Sequence, residues 1–274
     1  MKNTNKKVLT VQDISCVGQC SLTVALPVIS ACGIECAILP SAVLSTHTAG
    51  FEGFTFRDLS NDFPSIIEHW KKENISFDAV YTGYLGSVYQ IEMIKEMFNL
   101  LTENGLKIID PAMGDKGKLY PLFDEEYAKA MAGLAAESDY TLPNVTEAAY
   151  MTGTEYKPVY DEDYIKKLVE ALLEAGTKNV ILTDVSYNDK ETGVVVANKD
   201  NYSYYRHEKI GEGYHGTGDI FSSVFVGKLI AGCTPESAAQ TAADFICKCI
   251  KNTVGDKEHW YGVKFEPLLG SLSE

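Results

Sequence analysis

Five short apolar or β-branched runs recur along the chain, at residues 8–12, 36–40, 79–82, 107–110 and 179–183, and stretches with the 3.6-residue spacing of amphipathic helices lie between them. Helices are predicted at about 20–32, 64–74, 88–103, 124–136, 145–152 and 161–175. Their boundaries carry the appropriate residues: Pro64 suits a first helical turn, Asn144 with Glu147 three residues on forms a capping-box pattern, and Gly176 fits just past a helix end. Strands alternating with helices in this way predict an α/β fold on a mostly parallel sheet.

The pattern changes at residues 192–197 and 202–206, two β-rich runs separated by Asn198, Lys199, Asp200 and Asn201, which predict a hairpin at a sheet edge. A Gly-rich loop at 211–218 follows, and helical segments at about 219–231 and 235–250 end the pattern with no further strand. No internal repeat, low-complexity tract or flexible linker interrupts the chain. A single domain spanning residues 1–274 is the expectation.

Composition narrows the functions. With 274 residues, 45% of them hydrophobic, the chain can bury a substantial core, and its net charge of -14 would repel nucleic-acid backbones and anionic membranes. The seven cysteines contain no CxxC pair, so buried free thiols in a reducing cytoplasm are expected rather than disulfides or a zinc site. The basic residues 1–7 lead into an apolar run too short for a signal peptide, and the uncharged stretch 14–34 is broken by Gly, Gln and Pro. Arg57 and Arg206 are the only arginines, so any phosphate chemistry must use backbone amides, Lys and metal instead of an Arg cluster.

Two loops could supply that chemistry. Gly216, Thr217, Gly218 and Asp219 stand immediately before an apolar helix, where free backbone N–H groups can hold an anion and a neighbouring carboxylate can take a proton from an attacking hydroxyl. Gly211, Gly213 and Gly216 formally match GxGxxG, but the stretch follows no first strand and precedes only helices, which excludes a dinucleotide fingerprint; no P-loop motif occurs. The second loop, DPAMGDKGKLY at 110–120, places carboxylates beside Gly and Lys at a strand end, a setting able to hold Mg²⁺ directly or through water. Each feature alone also has a plain structural explanation, as a turn, a cap or, for His47, an ordinary hydrogen-bonded residue.

In order, the segments VQD at 11–13, STHT at 45–48, TGYLGS at 82–87, DPAMGDKGKLY at 110–120, PNVTEA at 143–148 and HGTGD at 215–219 resemble the pyridoxal/pyridoxamine kinase family of the ribokinase-like superfamily. The resemblance spans roughly residues 8–250 and implies a three-layer α/β/α sandwich that transfers a phosphoryl group from ATP. It implies Asp219 as the base acting on the substrate's 5′-hydroxymethyl group, with Gly216, Thr217 and Gly218 as the anion hole. His47, Thr48 and Tyr84 match positions that contact the pyridine ring, with Val17 packing against it. Asp110, Asp115 and Glu147 match the region that organises Mg²⁺, a monovalent cation such as K⁺, or their waters; Asp115 also borders the nucleotide, whose side is matched by Tyr120, Asn144 and Thr183. A homodimer is implied as well.

The chain departs from the family after its first strand, where many relatives have Gln-Ser-His and this sequence has Gln12, Asp13 and Ile14. Asp13 thus places a carboxylate where a hydroxyl is usual, among the residues expected to meet the substrate. Hydroxymethylpyrimidine kinases share the scaffold but usually carry Cys after GTG, which Asp219 replaces. A hydroxymethylpyrimidine or other small-alcohol kinase, or a vitamin B6 binder without catalysis, stand as alternatives; retention of both base and anion hole weighs against the binder.

Overall fold

A computed structural model describes residues 6–211 and 213–273; most of the basic start of the chain, residues 1–5, lies outside them. Along the chain run β1 (Lys7–Ser15), α1 (Leu22–Ala31), β2 (Glu35–Leu44), β3 (Phe56–Asp58), α2 (Phe63–Lys72), β4 (Phe77–Thr82), α3 (Val88–Met97) and β5 (Leu101–Ile109). A small hairpin of β6 (Gly114–Asp115) and β7 (Lys118–Leu119) precedes α4 (Glu125–Ala135), β8 (Tyr140–Thr141), α5 (Val145–Thr152), α6 (Glu162–Ala175) and β9 (Asn179–Leu182). The edge hairpin β10 (Glu191–Asn198) and β11 (Tyr202–Glu208) leads to α7 (Thr217–Ile230), α8 (Pro235–Thr253) and a terminal 3₁₀ segment, Glu266–Leu272.

The nine-stranded sheet has the order β11-β10-β9-β8-β5-β4-β1-β2-β3, parallel from β2 to β9 and antiparallel only toward its edges. Side chains alternate across it. Val8, Ala79, Tyr81 and Ile108 face α1, α7 and α8, whereas Leu9, Val11, Val80 and Ile109 face α2, α3 and α4. Helices α5 and α6 cover Val180, Leu182 and Val195 farther along. Central strands buried on both faces explain why they read as near-continuous apolar runs.

The five predicted parallel strands and the edge hairpin are all present. The helix predicted to reach 103 stops at Met97 and turns through a 3₁₀ segment, Phe98–Leu100, because Leu101 pairs with Phe77 and Gly105 packs close to the Phe77 carbonyl in an irregular start to β5. Strands β3, β6, β7 and β8 have only two or three residues each, too few to show a period. The cysteines are free, but only Cys249 is fully buried and Cys16 is exposed. Among the described residues no helix is long and apolar enough to cross a membrane.

Candidate active site

From β1 the chain crosses to β2 on one side of the sheet and later returns to β4 on the other, so a crevice opens beyond the carboxyl ends of β1 and β4, the usual ligand position in open α/β sheets. Asp13 lies at the β1 end of this crevice, where the pairing with β2 shifts register between Gln12 and Ile14. Such irregularities re-aim side chains. Asp13 is buried and accepts a 2.9 Å hydrogen bond from Ser15 Oγ; burial raises its pKa against the opposing pull of the Ser21 and Ser15 hydroxyls. Tyr84 stands near Asp13 and rests on Phe123 with ring centroids 5.3 Å apart, its hydroxyl pushed up to about 12 by burial and then by Asp13 and Asp58.

His47 and Val17 meet because the loops after β1 and β2 pair: Val17 N–H donates to the Ser45 carbonyl and His47 N–H to the Val17 carbonyl, both at 3.2 Å. The His47 ring is buried and both its nitrogens are engaged. Nε2 lies 2.8 Å from the Tyr261 carbonyl, which can only accept, so Nε2 carries the proton and Nδ1 accepts from Ala49 N–H at 3.2 Å. His47 therefore has no free ring nitrogen for a ligand. Val17 and Thr48 are exposed beside it.

The first turn of α7 forms the other wall. Gly216 takes a left-handed conformation (φ 76°), and a Cβ there would sit 1.8 Å from the Gln19 carbonyl oxygen, so only glycine fits. No side chain caps this helix, and the Thr217 hydroxyl turns back to the Tyr214 carbonyl at 2.9 Å, leaving the leading N–H groups for an anion. Asp219, partly buried in this turn, is pushed up to about 7 by burial first and then by Asp110 and Asp13, while Ser21 N–H draws it down. A carboxylate poised near neutral pH can accept a proton from a hydroxyl in the crevice.

Asp110, buried at the end of β5, accepts a 2.7 Å hydrogen bond from Ser222 Oγ. Glu147 completes a capping box on α5 with Asn144 and also receives Met113 N–H at 3.0 Å. Burial raises both carboxyls, and the charge of Glu147 raises Asp110 further. Asn144 Nδ2 holds the Gly114 carbonyl at 2.8 Å and Thr183 bridges Asn144 from the end of β9, so the hairpin, Asn144 and Thr183 share one frame. Tyr120, an exposed side chain beside it, donates its N–H to the Met113 carbonyl, and its hydroxyl pKa is raised by desolvation and then by Glu147, Asp115, Asp219 and Asp110.

The sequence-predicted residues lie at the carboxyl end of the sheet in two groups: Asp13, Val17, His47, Thr48 and Tyr84 at the ends of β1, β2 and β4, and Asp110, Asp115, Tyr120, Asn144, Glu147 and Thr183 beyond β5, β8 and β9, with Asp219 neighbouring both Asp13 and Asp110. Among the described residues no three metal-ligating side chains form a ready-made cage, and Asp115 is exposed. Mutually repelling buried carboxyls nevertheless suit a divalent cation whose shell is completed by water and phosphate oxygens, as Mg²⁺ prefers. Ser222, one turn after Asp219, and Gln19 and Ser21 in the loop after β1 escape sequence reasoning. The spacing of Ser222 is a faint signal; Gln19 has none.

A family model described as phosphomethylpyrimidine kinase matches residues 26–263. A Bacteroides thetaiotaomicron structure assigned to the phosphomethylpyrimidine kinases and solved with pyridoxal superposes with a TM-score of 0.93 at 37% identity, covering 98% of this chain and 96% of that one. A pyridoxal kinase of Dictyostelium discoideum is 29% identical, over 92% of this chain and 88% of its own. A hydroxymethylpyrimidine/phosphomethylpyrimidine kinase of Bacillus subtilis is 28% identical over 78% of each.

Proposed function

Since the chain belongs to the phosphomethylpyrimidine kinase family and is a kinase of that kind, we propose that it transfers the γ-phosphoryl group of ATP to the 5′-hydroxyl of pyridoxal, pyridoxamine or pyridoxine. The observation that supports this reading is Asp219: a carboxyl at the uncapped start of α7, close to Asp110 and Asp13 and pushed up to about 7. Asp219 takes the proton as the hydroxyl attacks, and the N–H groups of Gly216, Thr217 and Gly218 stabilise the moving phosphoryl. Tyr120, Asn144 and Thr183 border the nucleotide. Asp110, Asp115 and Glu147 would hold Mg²⁺ through its waters, and the ion supplies charge neutralisation for the phosphates. Alignment and preorganised charge thus replace the missing arginines.

A second reading, phosphorylation of hydroxymethylpyrimidine or its monophosphate, is favoured by the family description and by the Bacillus subtilis relative. Incubation with Mg-ATP and each alcohol, with ³¹P NMR of the product, tests the proposal. A phosphate monoester on the 5′-oxygen of a B6 vitamer supports it, and transfer only to the pyrimidine replaces it by the second reading.

A further inference from the structure

The loop after β1 approaches the reacting end of the site through strained backbone. Ser21, the residue before α1, is not glycine yet has φ 53°, a conformation that persists only where the surroundings impose it. Two contacts make this loop matter: the Gln19 carbonyl packs where a Gly216 Cβ would be, and Ser21 N–H faces the Asp219 carboxyl. What holds it comes from the far end of the chain. Gln19 Nε2 donates to Glu266 Oε1 at 2.5 Å, and Gln19 Oε1 accepts from His259 Nε2 at 2.8 Å. Gly262 lets the segment come this near, since a Cβ there would lie 2.7 Å from Gln19 Oε1.

The same C-terminal segment grips the second site loop. The Tyr261 carbonyl fixes the His47 ring, and Trp260 lies 4.6 Å, centroid to centroid, from Phe51 and covers Gly50, where a Cβ would come within 2.9 Å of its ring. Residues 259–266 are themselves anchored on α8, through Lys264 N–H to Thr253 Oγ1 at 2.8 Å and Asn252 Nδ2 to the Lys264 carbonyl at 3.0 Å. They act as a strap across the loops that follow β1 and β2.

We propose that Gln19 is a positioning residue for phosphoryl transfer, clamped by His259 and Glu266 of the C-terminal strap so that the loop after β1 holds Gly216 and Asp219 in register. The inference rests on the kinase reading above and assigns the strap a part in it. Gln19 is not a catalytic residue, since it acts only through its neighbours. A misplacement of the base and anion hole by a fraction of an ångström lowers turnover while leaving ligand contacts largely intact.

Steady-state kinetics on Gln19→Ala, Glu266→Ala, Glu266→Gln and the Gln19→Ala/Glu266→Ala double variant, each checked for folding by circular dichroism, test this. Gln19→Ala is expected to lower kcat by about 10-fold to 100-fold with KM for ATP and alcohol within about 3-fold. Glu266→Ala should lower kcat in the same way, and the double variant should be no worse than Gln19→Ala, because both remove one interaction. Glu266→Gln, which keeps an acceptor for Gln19, should restore most of the turnover. Unchanged kcat in folded Gln19→Ala, a rise in KM alone, or fully additive losses would overturn the inference; should Gln19→Ala not fold, the contrast between Glu266→Ala and Glu266→Gln decides it. Wild-type protein that phosphorylates no alcohol would instead remove the kinase reading, and this inference with it.

Discussion

Ser222 Oγ donates a 2.7 Å hydrogen bond to Asp110 Oδ2 and so ties the first turns of α7 to the end of β5, joining the proposed base and anion hole to the acidic side of the site. Ser222 and Asp110 are both buried, so removing the donor leaves a carboxyl short of a partner. Ser222→Ala is expected to destabilise the protein by about 1–3 kcal/mol, read from urea denaturation. A change below about 0.5 kcal/mol, the scatter of an ordinary surface substitution, would show that the bond holds nothing together.

Asp219→Asn removes the proposed base while keeping its shape. Turnover should fall by roughly 10² to 10⁴ with KM little altered. In the wild-type protein kcat/KM should rise with pH through about 7, as Asp219 loses its proton, and this limb should vanish in the variant. Near-normal turnover in folded Asp219→Asn would remove this carboxylate from the mechanism.

Asp110, Glu147 and Asp219 are all raised above their unfolded values, to about 8, 7 and 7, so the folded protein binds more protons than the unfolded chain between the ordinary carboxyl range and about 8. Their stabilising contribution is complete below about pH 4 and is lost as pH rises through the folded values. Between pH 5 and pH 8 the ligand-free protein should therefore melt at progressively lower temperature. A Tm that is flat or rises over that interval contradicts the crowded-carboxyl description.

Asp13 is buried near the end of β1, where the pairing with β2 shifts register, and the proposed function assigns it a cationic group of the substrate. If it bonds a 4-aminomethyl group, Asp13→Ser should lower kcat/KM for pyridoxamine more than for pyridoxal, by roughly 5-fold to 150-fold. An unchanged ratio of the two would confine Asp13 to holding Ser15 and Ser21.

The parts of this site that sequence reveals are local ones. Asn144 and Glu147 announce their capping box by spacing alone, and Gly216 to Asp219 announce a loop entering a helix; both form. Gly216 proves to be glycine also for a nonlocal reason, the Gln19 carbonyl against its α-carbon. Gln19 and Glu266 are separated by 247 residues, and nothing in either neighbourhood signals their meeting. Likewise the sequence allows His47 to contact substrate, but only the fold shows both its nitrogens occupied, by Tyr261 and Ala49. The short strands β3 and β8 are set by pairing with longer neighbours, not by their own pattern.

The choice of alcohol separates the two kinase readings of this protein. Purified protein with Mg-ATP should be assayed by ADP release for kcat/KM on pyridoxal, hydroxymethylpyrimidine and hydroxymethylpyrimidine monophosphate under one set of conditions. Pyridoxal should exceed both pyrimidines by about tenfold or more, the discrimination a shaped small-molecule pocket provides. A higher kcat/KM for either pyrimidine would contradict the B6 assignment.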